Sequence, residues 1–80
     1  MPREQQVEIL AEMVANVINV AVEVGDRVEV GDIVVLLESM KMEIPVIAEV
    51  PGTVTAVKVA AGDVVQEGDP LVELTGGSAP

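Results

Sequence analysis

Residues 25–32 read Gly-Asp-Arg-Val-Glu-Val-Gly-Asp, and residues 62–69 read Gly-Asp-Val-Val-Gln-Glu-Gly-Asp. A constant offset of 37 residues (62 − 25) separates the two stretches, and both begin and end with Gly-Asp. The match extends outward, because the valines at 17, 20 and 22 correspond to the valines at 54, 57 and 59. The chain therefore contains the same structural unit twice.

The Gly-Asp pairs predict turns, because glycine adopts positive φ without penalty and aspartate accepts hydrogen bonds from nearby backbone amides. Each unit thus encloses one short strand between two turns. Residues 7–14 could pass for a helix, but the β-branched Val7 and Ile9 favour an extended conformation. Alternation of apolar residues predicts further strands at 17–22, 43–49, 54–59 and 71–74. We expect about eight short strands in all.

The composition restricts both the fold and the chemistry. Eighteen of the 80 residues are valine, which favours strands, and Phe, Tyr, Trp, Cys and His are all absent. No thiol nucleophile, imidazole base or nucleophile–base pair is therefore available, and we do not expect an enzyme. The four turn aspartates lack the dense spacing of a calcium loop, so no metal is expected either. A formal net charge of −10 repels phosphate backbones and argues against a nucleic-acid partner.

We predict one domain over residues 7–75, a flexible N-terminus at residues 1–6 and a flexible tail at residues 76–80. The N-terminal residues lack a basic region followed by an apolar stretch. The longest aliphatic run, Ile33 to Leu37, is too short to span a bilayer. A cytoplasmic monomer without a membrane partner is the default expectation.

The join between the two units reads Glu-Ser-Met-Lys-Met-Glu at residues 38–43. It lies between a strand that ends near Leu37 and another that starts near Glu43. A tight hairpin normally uses Asn-Gly or Asp-Gly, because a two-residue loop requires positive φ at both central residues. Met40 and Lys41 occupy this turn instead, and such a departure from turn chemistry indicates function.

Lys41 offers a primary amine that attacks an activated acyl group once it is deprotonated. An ordinary solvated lysine is the alternative interpretation, but the hairpin position and the flanking methionines outweigh it. Packing in the core is the alternative interpretation of Met40 and Met42. Their position at a loop tip favours instead a role in recognition of the turn by a modifying enzyme. Lys58 lies between two valines in the middle of a predicted strand, and we assign it no role.

The Glu-Ser-Met-Lys-Met sequence at residues 38–42 resembles the Glu-Ala/Ser-Met-Lys-Met signature of biotinyl domains, and the internal duplication fits their relatives, the lipoyl domains. The resemblance covers residues 7–75 and is strongest to small biotin carrier proteins. It implies an all-β flattened barrel, or barrel-sandwich hybrid, of two four-stranded antiparallel sheets. It also implies pseudo-twofold symmetry, with the lysine hairpin at one end and both termini away from it.

By this resemblance, a biotin protein ligase joins biotin to Lys41 through an amide, with Met40 and Met42 as flanking recognition residues. The biotin then carries carboxylate from a biotin carboxylase to a carboxyltransferase, while the chain itself catalyses nothing. Two departures from the family pattern, Ser39 in place of alanine and the segment at residues 11–15, leave the partner enzyme open. Two alternatives remain: a lipoyl carrier, whose signature would be Asp-Lys and a small residue, and an unmodified structural module.

Overall fold

The computed structural model describes residues 4–77, which form two four-stranded antiparallel sheets. One sheet has the strand order β1-β8-β6-β3 and the other has the order β5-β4-β2-β7. The predicted all-β fold with eight short strands is confirmed. The strands are β1 (Glu4–Leu10), β2 (Ala15–Val20), β3 (Arg27–Val28), β4 (Ile33–Ser39), β5 (Met42–Ile47), β6 (Gly52–Val57), β7 (Val64–Val65) and β8 (Pro70–Gly77).

The pairing of the strands repeats with the 37-residue offset of the sequence. Leu37 of β4 pairs with Ile44 of β5, and its counterpart Leu74 of β8 pairs with Val7 of β1. The other pairings in one sheet also have their counterparts in the other, including the irregular positions, except that the pair Glu4 and Gly77 corresponds to the two turn residues Lys41 and Met40. A pseudo-twofold axis therefore relates the two sheets and exchanges β1 with β5, β2 with β6, β3 with β7, and β4 with β8.

All four predicted Gly-Asp turns are present, and they share one geometry. In the first turn the Asp26 N–H donates to the Glu23 carbonyl at 3.0 Å, while Asp26 Oδ2 accepts from the Glu23 N–H at 2.9 Å. Gly25, the third residue of this turn, has φ +98°. A type II turn requires positive φ at this position, which explains why glycine precedes each aspartate. These turns enclose the two-residue strands β3 and β7.

The core between the sheets contains only aliphatic side chains. Leu37, Leu71 and Leu74 are among its largest fully buried members, and most of the others are valine. Among residues 6–76, no polar or charged side chain is buried. Burial of aliphatic surface is therefore the main source of stability, at about 25 cal/mol per Å² of apolar area removed from water.

Strand pairing extends beyond the predicted domain limits of residues 7 and 75. Glu4 pairs with Gly77 and Gln5 with Gly76, so residues 4–6 and 76–77 belong to β1 and β8. Glycine can pair here because the ladder uses only backbone groups. The flexibility predicted for residues 1–6 and 76–80 stays a prediction. The remaining residues of those segments, 1–3 and 78–80, lie outside the described residues.

The two ends of the described chain lie at a position that is symmetric to the hairpin between β4 and β5. The offset of 37 carries the pair Ser39 and Met42 onto Gly76 and Gln5, which pair in the other sheet. The chain turns from β4 into β5, whereas the corresponding strands β8 and β1 are the last and first of the chain. The hairpin and the chain ends therefore belong to different sheets. No helix among residues 4–77 is long and apolar enough to cross a membrane.

Candidate functional site

β4 and β5 are joined by a two-residue turn that consists of Met40 and Lys41. Ser39 and Met42 pair directly beneath this turn. Met40 has φ +54° and Lys41 has φ +65°, and within residues 4–77 these are the only non-glycine residues with positive φ. The values are those of a type I′ turn, whose usual residues are asparagine and glycine. Positive φ at a non-glycine residue costs of order 1–3 kcal/mol, so this turn is strained.

The side chains of the turn face solvent. Met40 is 90% exposed and Met42 is 65% exposed, which excludes core packing as the reason for either methionine. Lys41 is also exposed, and no described side chain lies within ion-pair distance of its amine. The structure thus presents a primary amine between two large apolar side chains, free of any competing carboxylate.

The other two basic residues of the described chain are engaged in ion pairs. Lys58 Nζ lies 3.6 Å from Glu73 Oε2, and Arg27 Nε lies 3.5 Å from Glu29 Oε2. The Glu73 side chain is only 16% exposed, so Lys58 faces a carboxylate that is partly withdrawn from solvent. Lys41 has no such ion-pair partner among the described side chains.

Two carboxylates lie below the turn, because Glu38 of β4 pairs directly with Glu43 of β5. Like charges in directly opposed positions destabilise a strand pair. The symmetric positions in the other sheet hold Thr75 and Gln6, which are uncharged, so the fold itself does not require this acidic pair. Both glutamates are exposed, as expected for solvated charges at strand ends.

We expect Met40→Asn to raise the free energy of unfolding by about 1 kcal/mol, because asparagine tolerates positive φ better than methionine. Met42→Asn is the matched control, since Met42 is also exposed but lies in extended backbone. That control should be neutral or slightly destabilising, because asparagine is disfavoured in strands. Urea denaturation followed by circular dichroism measures both variants. Equal stability of the two variants would show that the turn is not strained.

The described side chains around Lys41 include neither a metal-binding group nor a hydrogen-bond partner for its amine. Among residues 6–76, no group of three or more His, Cys, Asp or Glu side chains is placed to hold a metal ion. No described side chain is hydrogen-bonded to Lys41 to remove its proton. Within the described residues, the amine of Lys41 thus has no side chain placed to accept its proton.

The residues of this tip can all be identified from the sequence, whereas the cleft that lies between β1 and β5 cannot. The cleft is lined by apolar residues of both strands and by several glutamates. Two features of the sequence bear on this cleft. The strands at residues 4–10 and 42–47 are only half apolar, and the chain has no aromatic side chains. Neither feature predicts the distance between the edges of the two sheets.

Comparison with known proteins identifies a family over most of the chain. The family model Biotin_lipoyl, described as "Biotin-requiring enzyme", matches residues 7–74. A protein of Mycobacterium tuberculosis named "Biotinylated protein TB7.3" is 60% identical over 38 residues, which are 48% of this chain and 54% of that protein. Its homologue in Mycolicibacterium smegmatis is 62% identical over the same length, with the same coverage. The matched region spans about half the length of these curated relatives.

Solved structures show the same fold. A single-chain, multi-domain long-chain acyl-CoA carboxylase gives a TM-score of 0.84 at 32% identity, covering 89% of this chain and 7% of the carboxylase. The urea carboxylase of Kluyveromyces lactis gives a TM-score of 0.82 at 30% identity, covering 90% and 6% of the two chains. The lipoyl domain of the 2-oxoglutarate dehydrogenase complex from Azotobacter vinelandii gives 0.70 at 25% identity, covering 94% of this chain and 98% of that domain.

Proposed function

Because this chain belongs to the biotin/lipoyl family described as "Biotin-requiring enzyme", we propose that it is a biotin carrier domain whose attachment residue is Lys41. The observation that carries the proposal is the exposed amine of Lys41 at a strained turn, between two exposed methionines. The mycobacterial relatives named as biotinylated proteins favour biotin over lipoate. Met40 and Met42 are the residues we assign to recognition by a biotin protein ligase.

The residues at the tip fit a covalently bound biotin. Attachment requires that Lys41 Nζ, once the ligase has removed its proton, attacks the carbonyl carbon of activated biotin. An amide bond then forms and the activating group leaves. The positive charge of the lysine is lost, which leaves the chain more negative by one unit. No described side chain has to move for this step, because the Lys41 side chain is already in solvent.

The hairpin and the lysine contribute different properties to a carrier. β4 and β5 pair up to Ser39 and Met42, so the backbone is ordered to within one residue of Lys41. The lysine side chain adds a flexible four-carbon stem beyond that point. When bound, biotin supplies the ability to accept and release a carboxylate group. The tether keeps that group at high effective concentration near the enzymes that use it.

The chain contributes attachment and positioning, and we assign catalysis to its partners. A biotin carboxylase that loads the carboxylate and a carboxyltransferase that unloads it are the partners the proposal requires. Support comes from the similarity to parts of two carboxylases, in which the matching segment is a small fraction of a much longer chain.

The test is incubation of the purified chain with a biotin protein ligase, biotin and ATP, followed by intact-mass measurement and fragmentation of the modified peptide. We expect a single biotinyl adduct, located on Lys41. A parallel reaction with a lipoate ligase and lipoate should give no adduct. Preferential lipoylation of Lys41 would mean that the attached cofactor is lipoate and not biotin, while the proposed carrier role would be unchanged. The absence of any adduct under conditions that label a known carrier would favour an unmodified structural module.

A further inference from the structure

A cleft of about 800 Å³ separates the edge strands β1 and β5. Its two walls are related by the pseudo-twofold axis, since Val7 and Ile9 of β1 correspond to Ile44 and Val46 of β5. These four side chains are half-buried, and the buried Leu37 lies behind them. The cleft is thus a continuation of the core that the two sheets leave uncovered.

The backbone beside the cleft is also open. β1 pairs only with β8 and β5 pairs only with β4, so within the described chain each strand leaves one side without a strand partner. Unpaired strand edges accept an additional extended segment through backbone hydrogen bonds. Pro45 in β5 has no N–H to donate, but the carbonyl groups of that strand are still available as acceptors. The cleft therefore suits an extended peptide better than a helix.

The rim of the cleft is acidic. Glu8, Glu12, Glu49 and Glu67 line it and are exposed, and no lysine or arginine is among the lining residues. A second copy of this chain would bring the same glutamates face to face, in a molecule whose formal net charge is already −10. Complementarity requires positive charge on the occupant.

We propose that the cleft between β1 and β5 binds an extended segment of a partner protein in which aliphatic residues alternate with lysine or arginine. Successive side chains of a strand point to opposite faces, so aliphatic residues cover Val7, Ile9, Ile44 and Val46 while basic residues remain in solvent near the glutamates. β5 begins at Met42, next to Lys41, and continues as one wall of the cleft. A partner held there also holds the lysine tip close to itself.

A peptide titration tests this directly, with the unmodified full chain labelled with ¹⁵N. The probe is acetyl-Lys-Val-Lys-Leu-Lys-Val-Lys-amide, and the matched peptide carries glutamate in place of every lysine. We expect saturable amide shift changes on β1 and β5 with the basic peptide only. Raising the salt concentration from low to physiological should weaken binding by about tenfold, because the rim charges are exposed. Since biotin is absent, the result is independent of the modification state of Lys41.

Two charge-reversal double variants distinguish peptide binding in the cleft from non-specific attraction of a basic peptide to an acidic protein. Glu8→Lys with Glu49→Lys changes the rim, whereas Glu23→Lys with Glu29→Lys makes the same change in net charge at exposed positions outside the cleft. We expect the first pair to weaken peptide binding by about tenfold and the second by less than about threefold. Ile47→Lys, within the cleft, should weaken binding more than Val30→Lys, which lies outside it.

Several results would overturn the proposal. One is equal weakening by the two charge-reversal pairs, and another is equal binding of the acidic peptide. The proposal would also be overturned if the basic peptide caused amide shift changes only outside β1 and β5, or caused no shift changes at all. Shifts at β1 and β5 that depend on protein concentration without any peptide would show that a second copy occupies the cleft instead.

Discussion

Lys41→Arg is expected to abolish biotin attachment completely while leaving the fold intact. Arginine keeps the positive charge, but its guanidinium stays protonated at any accessible pH and cannot serve as the acyl acceptor. The Lys41 side chain is exposed and makes no described ion pair, so its replacement should change the free energy of unfolding by less than about 0.5 kcal/mol. Intact-mass measurement after treatment with a biotin protein ligase gives the extent of modification.

Lys58→Arg is the matched control for that experiment. Lys58 is partly exposed and paired with Glu73, and arginine can maintain this ion pair. The control should therefore be biotinylated to the same extent as the unchanged chain. Label on the Lys41→Arg chain, or loss of label from the Lys58→Arg chain, would place the attachment residue elsewhere.

Leu74→Ala is expected to lower the free energy of unfolding by about 3–5 kcal/mol. Leu74 is fully buried, and its strand β8 lies between β1 and β6 in the first sheet. Removing most of this side chain leaves a cavity that the neighbouring valines can fill only in part. A domain of about 80 residues has little stability to spare, so this single loss removes a large share of it. Equilibrium urea denaturation measures the change.

Val24→Ala and Leu37→Ala are the controls for the Leu74→Ala variant. Val24→Ala removes an exposed side chain and should cost less than about 0.5 kcal/mol. Leu37→Ala alters the symmetry-related residue, which lines the cleft, so part of the space left by the substitution opens into the cleft. We expect its cost to be smaller than that of Leu74→Ala. A larger cost at Leu37 would mean that the cleft is closed in solution.

The duplicated sequence predicted most of the architecture, because each repeated residue type has one local consequence. Gly25 and its three equivalents require positive φ, and the turn aspartates supply the hydrogen bonds that fix each turn. The hairpin at Met40 and Lys41 was predictable for the opposite reason, since its residues do not suit the turn they form. The prediction of the Gly-Asp turns and that of the Met40–Lys41 hairpin both depend on the backbone preferences of individual residues, which can be read directly from a single sequence.

Other features depend on distances between strands, which a single sequence does not record. Pairing of Gly76 and Gly77 with β1 follows from the position of the neighbouring strand, because glycine has no side chain to indicate a buried face. The cleft between β1 and β5 depends on the separation of two sheet edges and on the volume of the side chains between them. Alternation of apolar residues predicts which side chains point inward, but it does not predict whether the inward side chains of β1 contact those of β5.

The pairing of Glu4 with Gly77 has a consequence for how this fold can be built into larger proteins. Neighbouring strands lie about 5 Å apart, so the first and last described residues, Glu4 and Gly77, lie within one strand spacing of each other. Any surface loop of a host protein offers two connection points at about that separation. The fold can therefore be inserted into such a loop without stretching either connection, and the hairpin that carries Lys41 belongs to the sheet that contains neither junction.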